Sequence, residues 1–249
     1  MEWRDIGFVV AARRYGEGAV IVELLTREHG RHAGLVRGGQ SPKIRATLQP
    51  GNRVAALWRG RLSEHLGVIS CELVRSHAAG MLDDPDRLAA LMAAAALVTA
   101  ALPEREPSPD VFASFGGLLQ ALDSAADWPV RYVGWELDLL AALGFGLDLS
   151  RCAVSGGSTD LAYVSPRTGR AVSREAGFPY REKLLGLPDF LLRDVEADRR
   201  QIVLGLRLTE HFLVRHVFMP HGLALPAARL RLTERLGWTA VGGKMPASN

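Results

Sequence analysis

Apolar residues in the N-terminal third come in short runs broken by glycine-containing turns, the pattern of strands rather than helices. Ile6 to Ala12 and Ala19 to Thr26 are two such runs, split by Tyr15-Gly16-Glu17-Gly18. Glu28-His29-Gly30 supplies the next turn, and Arg31 to Val36 reads as a third strand. Gln49-Pro50-Gly51-Asn52 leads into a fourth, Val54 to Trp58, and Leu66 to Val74 makes a fifth. Five short strands with no helical stretch among them predict a small barrel or sandwich, and a five-stranded OB-type barrel fits the count.

After Gly80 the period becomes helical. Asp83-Asp84-Pro85-Asp86 combines an Asp cap, a first-turn proline and acids at the positive end of a helix, which then runs to Leu102 and stops at Pro103. Asp110 opens a second helix through Leu122. Asp127-Trp128-Pro129 opens a third, where Val130, Val133, Leu137, Leu140 and Ala141 recur at helical spacing until Gly144 and Gly146. Residues 150–180 are rich in Gly, Ser and Pro and read as an irregular insertion. Helices resume near Leu184, from Asp198 to Phe218, and from Pro226 to Leu236 with Gly237 as the C-cap, and the tail from Gly242 is expected to fray. The expected fold class is multidomain, β then α: residues 1–80 form the barrel and residues 81–249 an α-helical domain that carries the 150–180 insertion.

Composition narrows the class. At 48% hydrophobic and 23% charged residues the chain is globular rather than disordered. Met1 to Asp5 has early acids and no apolar run after a basic start, so no secretory signal is expected there. The longest uncharged Ala/Leu run, Leu88 to Leu102, has 15 residues. A membrane span needs roughly 18–20, so this run is expected to be a buried helix, with no membrane partner. Cys71 and Cys152 are too few for a disulfide framework, which fits a reducing, cytoplasmic setting.

Charge changes the picture more. The formal net charge is only +3, but residues 1–80 carry +5, residues 81–150 carry −8 and residues 151–249 carry +6. Between Arg27 and Arg61 stand eight bases and one acid, Glu28. A patch that basic points to a polyanion, most simply nucleic acid. Its cations Arg31, Arg37, Lys43, Arg45, Arg53, Arg59 and Arg61 are the candidate DNA contacts, with Arg27 beside them. In the loop Arg37-Gly38-Gly39-Gln40-Ser41-Pro42-Lys43, glycines let backbone approach a phosphate while the flanking cations neutralise it. Trp58 and Tyr15 offer faces for unpaired bases, although a core role suits Trp58 better. The acidic block is expected to face away from this surface.

Other chemistries find little support. No phosphate-binding loop of the G-x-x-x-x-G-K-[ST] type occurs, and Gly144-Phe145-Gly146 lacks the third glycine of a dinucleotide site. His29 and His32 beside Glu28 make an H-x-x-H, but a solvated hairpin turn explains them better than a ligand set. His211, His216 and His221 are five apart, which turns each by about 140° on an α-helix, so they are not expected to share a face. No G-x-S-x-G or H-E-x-x-H is present, and no catalytic residue is expected. Cys152-Ala153-Val154-Ser155 and Ser173-Arg174-Glu175-Ala176 stand where the two C-x-x-C knuckles of a zinc ribbon would, with 17 residues between them. Three of those four ligand positions hold Ser155, Ser173 and Ala176, and one thiolate cannot hold a structural zinc.

Across nearly the full chain the sequence resembles the RecO family of bacterial recombination and repair mediators. The resemblance rests on Gly7-Phe8-Val9-Val10, Tyr15-Gly16-Glu17, Thr26-Arg27-Glu28-His29-Gly30, and the basic loop 37–45 leading to Leu48-Gln49-Pro50-Gly51. It continues through Trp135-Glu136-Leu137-Asp138-Leu139-Leu140-Ala141-Ala142-Leu143-Gly144, Leu149-Ser150-Arg151-Cys152 and Tyr163-Val164-Ser165-Pro166. It implies an N-terminal OB fold, a helical C-terminal domain and a non-enzymatic role. That role is to bind single- and double-stranded DNA, to anneal strands coated by single-strand-binding protein, and with RecR to assist RecA loading. Many members of the family carry a four-cysteine zinc site in the insertion. Only Cys152 matches it, so the insertion is expected to be a degenerate ribbon without zinc, and no other cofactor is expected. The family also places the contact with the acidic tail of single-strand-binding protein on the helical domain. Arg207, Phe212, Arg215 and His216 are the candidates for that groove.

Overall fold

The computed structural model describes residues 1–62 and 65–238, so the tail from Gly242 lies outside the described residues. Contacts divide the chain into two compact units. Residues 1–126 with 226–229 form one; residues 127–225 and the chain from Leu230 form the other.

The first unit is built on a closed barrel of five strands in the order β1-β2-β3-β5-β4. They are β1 (Glu2–Tyr15), β2 (Ala19–Thr26), β3 (Gly30–Arg37), β4 (Arg53–Arg59) and β5 (Val68–Arg75). Closure depends on β1, which is twice as long as its hydrophobic run suggested. Its first half pairs with β4, from Glu2 opposite Arg59 to Phe8 opposite Arg53. Its second half pairs with β2 as far as Tyr15 opposite Ala19, and a bulge between Val9 and Ala11 turns the strand from one partner to the other. The ring closes where Leu35 of β3 lies parallel to Val68 of β5. Inward positions of each strand supply the core, including Val9, Val22, Leu24, Val54, Ala56 and Ile69.

A short helix, α1 (Pro42–Thr47), joins β3 to β4, where the sequence suggested only a loop. Its Ile44, with Leu48 beyond it, enters the core and plugs that end of the barrel, while Lys43 and Arg45 stay exposed. This strand order with a helix between β3 and β4 is the OB arrangement.

Helices α2 (Pro85–Ala101) and α3 (Pro109–Ser124) complete the unit. Asp84 caps α2 as the sequence suggested, its carboxylate accepting from the backbone N–H of Asp86 and Arg87 at 3.0 and 3.1 Å. Arg87 in turn donates to the carbonyls of Leu122 and Ala125, satisfying the C-terminal end of α3. Phe8 of β1 packs on Phe112 and Phe115, which ties α3 to the barrel. The part of the acidic block that lies in this unit, residues 81–126, therefore does not face away from the barrel. Arg31 meets Glu104, Arg75 meets Asp123, and charge complementarity docks the two segments.

In the second unit, α4 (Trp128–Ala142) packs on α6 (Arg199–Phe212), and the buried Glu136 carboxylate accepts from the Thr209 hydroxyl between them. The 150–180 stretch is more regular than its composition suggested. Strands β6 (Leu161–Val164) and β7 (Ala171–Ser173) form a small sheet with β8 (Leu185–Gly186), and short helical turns including α5 (Arg174–Gly177) lie between β7 and β8. No long helix begins at Leu184; β8 lies there instead. The helix expected over 198–218 changes at residue 213, where Leu213–Phe218 forms a π turn. The last helix among the described residues, α7, spans Ala227–Trp238. Among the described residues no helix is long and apolar enough to cross a membrane.

Candidate nucleic-acid interface

The structure sorts the basic candidates into different settings. β1 and β3 run in the same direction, so Tyr15 and Arg37 leave the barrel at one end. Gln40 bridges the two loops there, donating from its side-chain amide to the Gly16 carbonyl at 3.1 Å. Arg13, Arg14, Arg37, Lys43 and Arg45 are all exposed at this end, with Tyr15 57% exposed among them. Arg13 and Arg14 stand outside the basic run from Arg27 to Arg61 in the chain. Only the register that sets Tyr15 opposite Ala19, and Ala19 opposite Arg37, brings them in.

The other candidates are already engaged or lie elsewhere. Arg31 donates to Glu23 at 2.8 Å and to the Leu102 carbonyl at 3.0 Å, so its charge is taken up within the unit. Arg59 sits at the opposite end and donates to Glu2 at 2.6 Å, an exposed pair that holds the Glu2 carboxyl below its usual range. Arg61 is exposed just beyond it. Arg53 begins β4 opposite Arg75 and is half-buried.

That opposite end, where β1 and β3 begin, is an aromatic cleft of about 460 Å³. Trp58 is buried in the core, its indole N–H donating to the Leu66 carbonyl at 3.0 Å. Gly60 and Gly67 lie so close over it that a Cβ at either position would overlap its ring. Trp58 therefore cannot be a free stacking face. Trp3, opposite it across β1 and β4, stacks on His29 with centroids 4.3 Å apart. The reading of His29 and His32 as a solvated turn fails for His32, which lies on β3 inside the barrel mouth and is 4% exposed. Burial first, then the nearby Arg105 and His29 charges, push its pKa down to about 4, so the ring is neutral at neutral pH.

The second unit holds its own cleft, of about 400 Å³, lined by Leu185, Arg207, His211, Val214, Arg215 and Met219 together with Glu210. Two of the four residues suggested from sequence, Arg207 and Arg215, line it; Phe212 and His216 do not. Phe212 is buried, and His216 stacks between Phe145 and Phe212. His216 titrates below its usual range through burial and then the charges of Arg215 and His211.

In the insertion, Cys152 Sγ accepts from the backbone N–H of Ser155 at 3.4 Å and of Ser173 at 3.3 Å, and meets the Ser173 hydroxyl at 3.5 Å. Burial raises its pKa, but these bonds outweigh it and hold the thiol near 6. At the four knuckle positions the donor set is one sulfur, two hydroxyls and the methyl of Ala176, which does not fit a structural zinc. Among the described residues no group of three or more His, Cys, Asp or Glu is arranged to hold a metal.

A closed five-stranded barrel of OB order with a cationic end, followed in the chain by a helical region, defines the class: an OB-fold protein with a helical second part. Comparison with known sequences gives the family. The model described as Recombination protein O N terminal matches residues 1–77, and that described as Recombination protein O C terminal matches residues 82–223. The DNA repair protein RecO of Rhodospirillum rubrum is 54% identical over 248 residues, covering 96% of this chain and 98% of its own. The DNA repair protein RecO of Rhodospirillum centenum is 54% identical over 94% of each chain. That of Phenylobacterium zucineum is 52% identical over 95% of this chain and 98% of its own. This chain belongs to the RecO family of DNA repair proteins.

Proposed function

We propose that this protein binds single- and double-stranded DNA without cutting it, anneals complementary strands coated by single-strand-binding protein, and with RecR assists RecA loading in the cytoplasm. In this reading residues 1–80 are the DNA-contacting module and residues 81–249 the helical one. The observation that carries it is the gathering of Arg13, Arg14, Arg37, Lys43 and Arg45, all exposed, at one end of an OB barrel. Such a surface neutralises phosphates through counterion release and leaves bases free to pair. A basic, partly apolar groove on the helical unit would hold the acidic tail of single-strand-binding protein, with Arg207 and Arg215 as its cations.

Annealing of complementary strands precoated with single-strand-binding protein tests the reading. Acceleration by this protein is the expected result. A generic OB binder of single strands would bind without accelerating annealing, and a protein adaptor would not bind DNA at physiological salt. Strand cleavage in Mg²⁺ that is lost on replacing a His or Asp would overturn the non-enzymatic part.

A further inference from the structure

The aromatic end of the barrel carries chemistry that phosphate binding does not require. Three rings lie nearly parallel there: Trp58 and Trp3 are 9° apart in plane at 5.9 Å, and Trp3 and His29 are 12° apart at 4.3 Å. The inner ring is sealed in the core. The outer one, His29, is 31% exposed and is oriented by Asp5, whose carboxylate lies 2.9 Å from its Nδ1. His32 stands edge-on to both indoles, and neither of its ring nitrogens has a hydrogen-bond partner. A ring N–H over an indole face gains only a weak contact, and the second nitrogen gains none. An imidazole more than nine-tenths buried in that state is destabilising unless something else completes it.

We propose that this cleft takes one unpaired base of a bound single strand, its flat face on the exposed face of His29, which Trp3 backs, and its polar edge directed at His32. The proposal rests on the DNA-binding reading above and adds a base subsite to it. Flat aromatic walls accept any base through its π-face. A neutral imidazole donates from one nitrogen and accepts at the other, which matches a base edge that carries both a donor and an acceptor. Arg105 lines the same cleft, where a cation suits the phosphate beside the inserted base. Of the two acids at the rim, Glu2 is neutralised by Arg59, leaving Glu28. The subsite is also within reach of the cationic end. β3 runs from His32 to Arg37, about 17 Å at strand rise, and an OB fold covers about 4–16 nucleotides.

The test compares two oligothymidylates of equal length on the full chain, one intact and one with abasic positions, so that the phosphates are the same and the bases differ. The intact strand is expected to bind about tenfold tighter, in line with stacking of one base. His29→Ala and His32→Leu should bring that ratio close to one and leave the salt dependence of binding unchanged. His32→Leu places an apolar side chain in an apolar site, so its folding stability, read by urea unfolding at pH 7, should hold or rise; this separates loss of the subsite from loss of the fold. Equal binding of the two strands by the unsubstituted protein overturns the subsite while leaving the phosphate surface in place. A preference that survives both substitutions also overturns it, because another surface would then hold the base. Failure of either strand to bind at physiological salt overturns the DNA reading and the subsite together.

Discussion

Arg31 on β3 donates from Nη1 to Glu23 Oε2 on β2 at 2.8 Å, and both side chains are largely shielded from solvent. With its Nε held by the Leu102 carbonyl, the guanidinium fastens the linker after α2 to the barrel wall. Its place in the basic run therefore serves folding. Arg31→Ala should lose charged hydrogen bonds, for a destabilisation of about 2 kcal/mol in urea unfolding. Its affinity for DNA should stay within about twofold, since ΔΔG below ~0.5 kcal/mol is expected of a site that does not touch the ligand.

The groove of the second unit is tested separately. Arg207→Glu and Arg215→Glu should each weaken binding of a fluorescent peptide copying the acidic tail of single-strand-binding protein by at least about tenfold, because reversing a contact charge adds repulsion to the lost attraction. DNA binding should be unaffected. Unchanged peptide affinity in the double variant would remove this groove from the account.

Protonation of His32 gives a pH signature. Its folded pKa near 4 lies below the 6.5 of an unperturbed histidine, so between those values the unfolded chain binds the extra proton. Stability should therefore be fully present above pH 6.5 and fall as the pH drops toward 4, by up to on the order of 3 kcal/mol. The buried His77, also shifted down by burial despite its Asp123 partner, adds in the same direction. Urea unfolding of His32→Leu at pH 7 and pH 4.5 should show a smaller loss than the unsubstituted protein; an equal loss would place the effect elsewhere.

The insertion yields a metal prediction. Thiolates on a tetrahedral zinc sit about 3.8 Å apart, given Zn–S near 2.3 Å. Cys152 Sγ and Ser173 Oγ are 3.5 Å apart. The triple variant Ser155→Cys, Ser173→Cys, Ala176→Cys should therefore bind one zinc per chain by metal analysis, whereas the natural sequence should purify with none. Stoichiometric zinc in the natural protein would contradict the donor argument.

Legibility followed physical scale. The strands of the barrel were visible because each pairs a Val/Ile/Leu run with a glycine turn, and α2 because Asp84-Pro85-Asp86 marks its start. The six-residue α1 escaped because it is too short to show a period, and only its Ile44 faces the core. The sheet of the insertion escaped because β7 has three residues. At the site, local charge density found Arg37, Lys43 and Arg45 but could not separate them from Arg31, whose partners lie 8 and 71 residues away. Arg13, Arg14, Trp3 and His32 needed strand register. Trp3 opposite Trp58 pairs β1 with β4, strands that no hairpin joins, so this contact is set by closure of the barrel.

The most direct test of the central claim, that the cationic barrel end binds DNA phosphates, is the salt dependence of binding to a single-stranded oligonucleotide. With four or five phosphates neutralised, the slope of log K against log salt should be about −3, at roughly −0.7 per contact. Replacing Arg37, Lys43 and Arg45 together by alanine should weaken binding alike for all sequences and flatten the slope by about 2. A triple variant with the unsubstituted protein's affinity and slope would contradict the account.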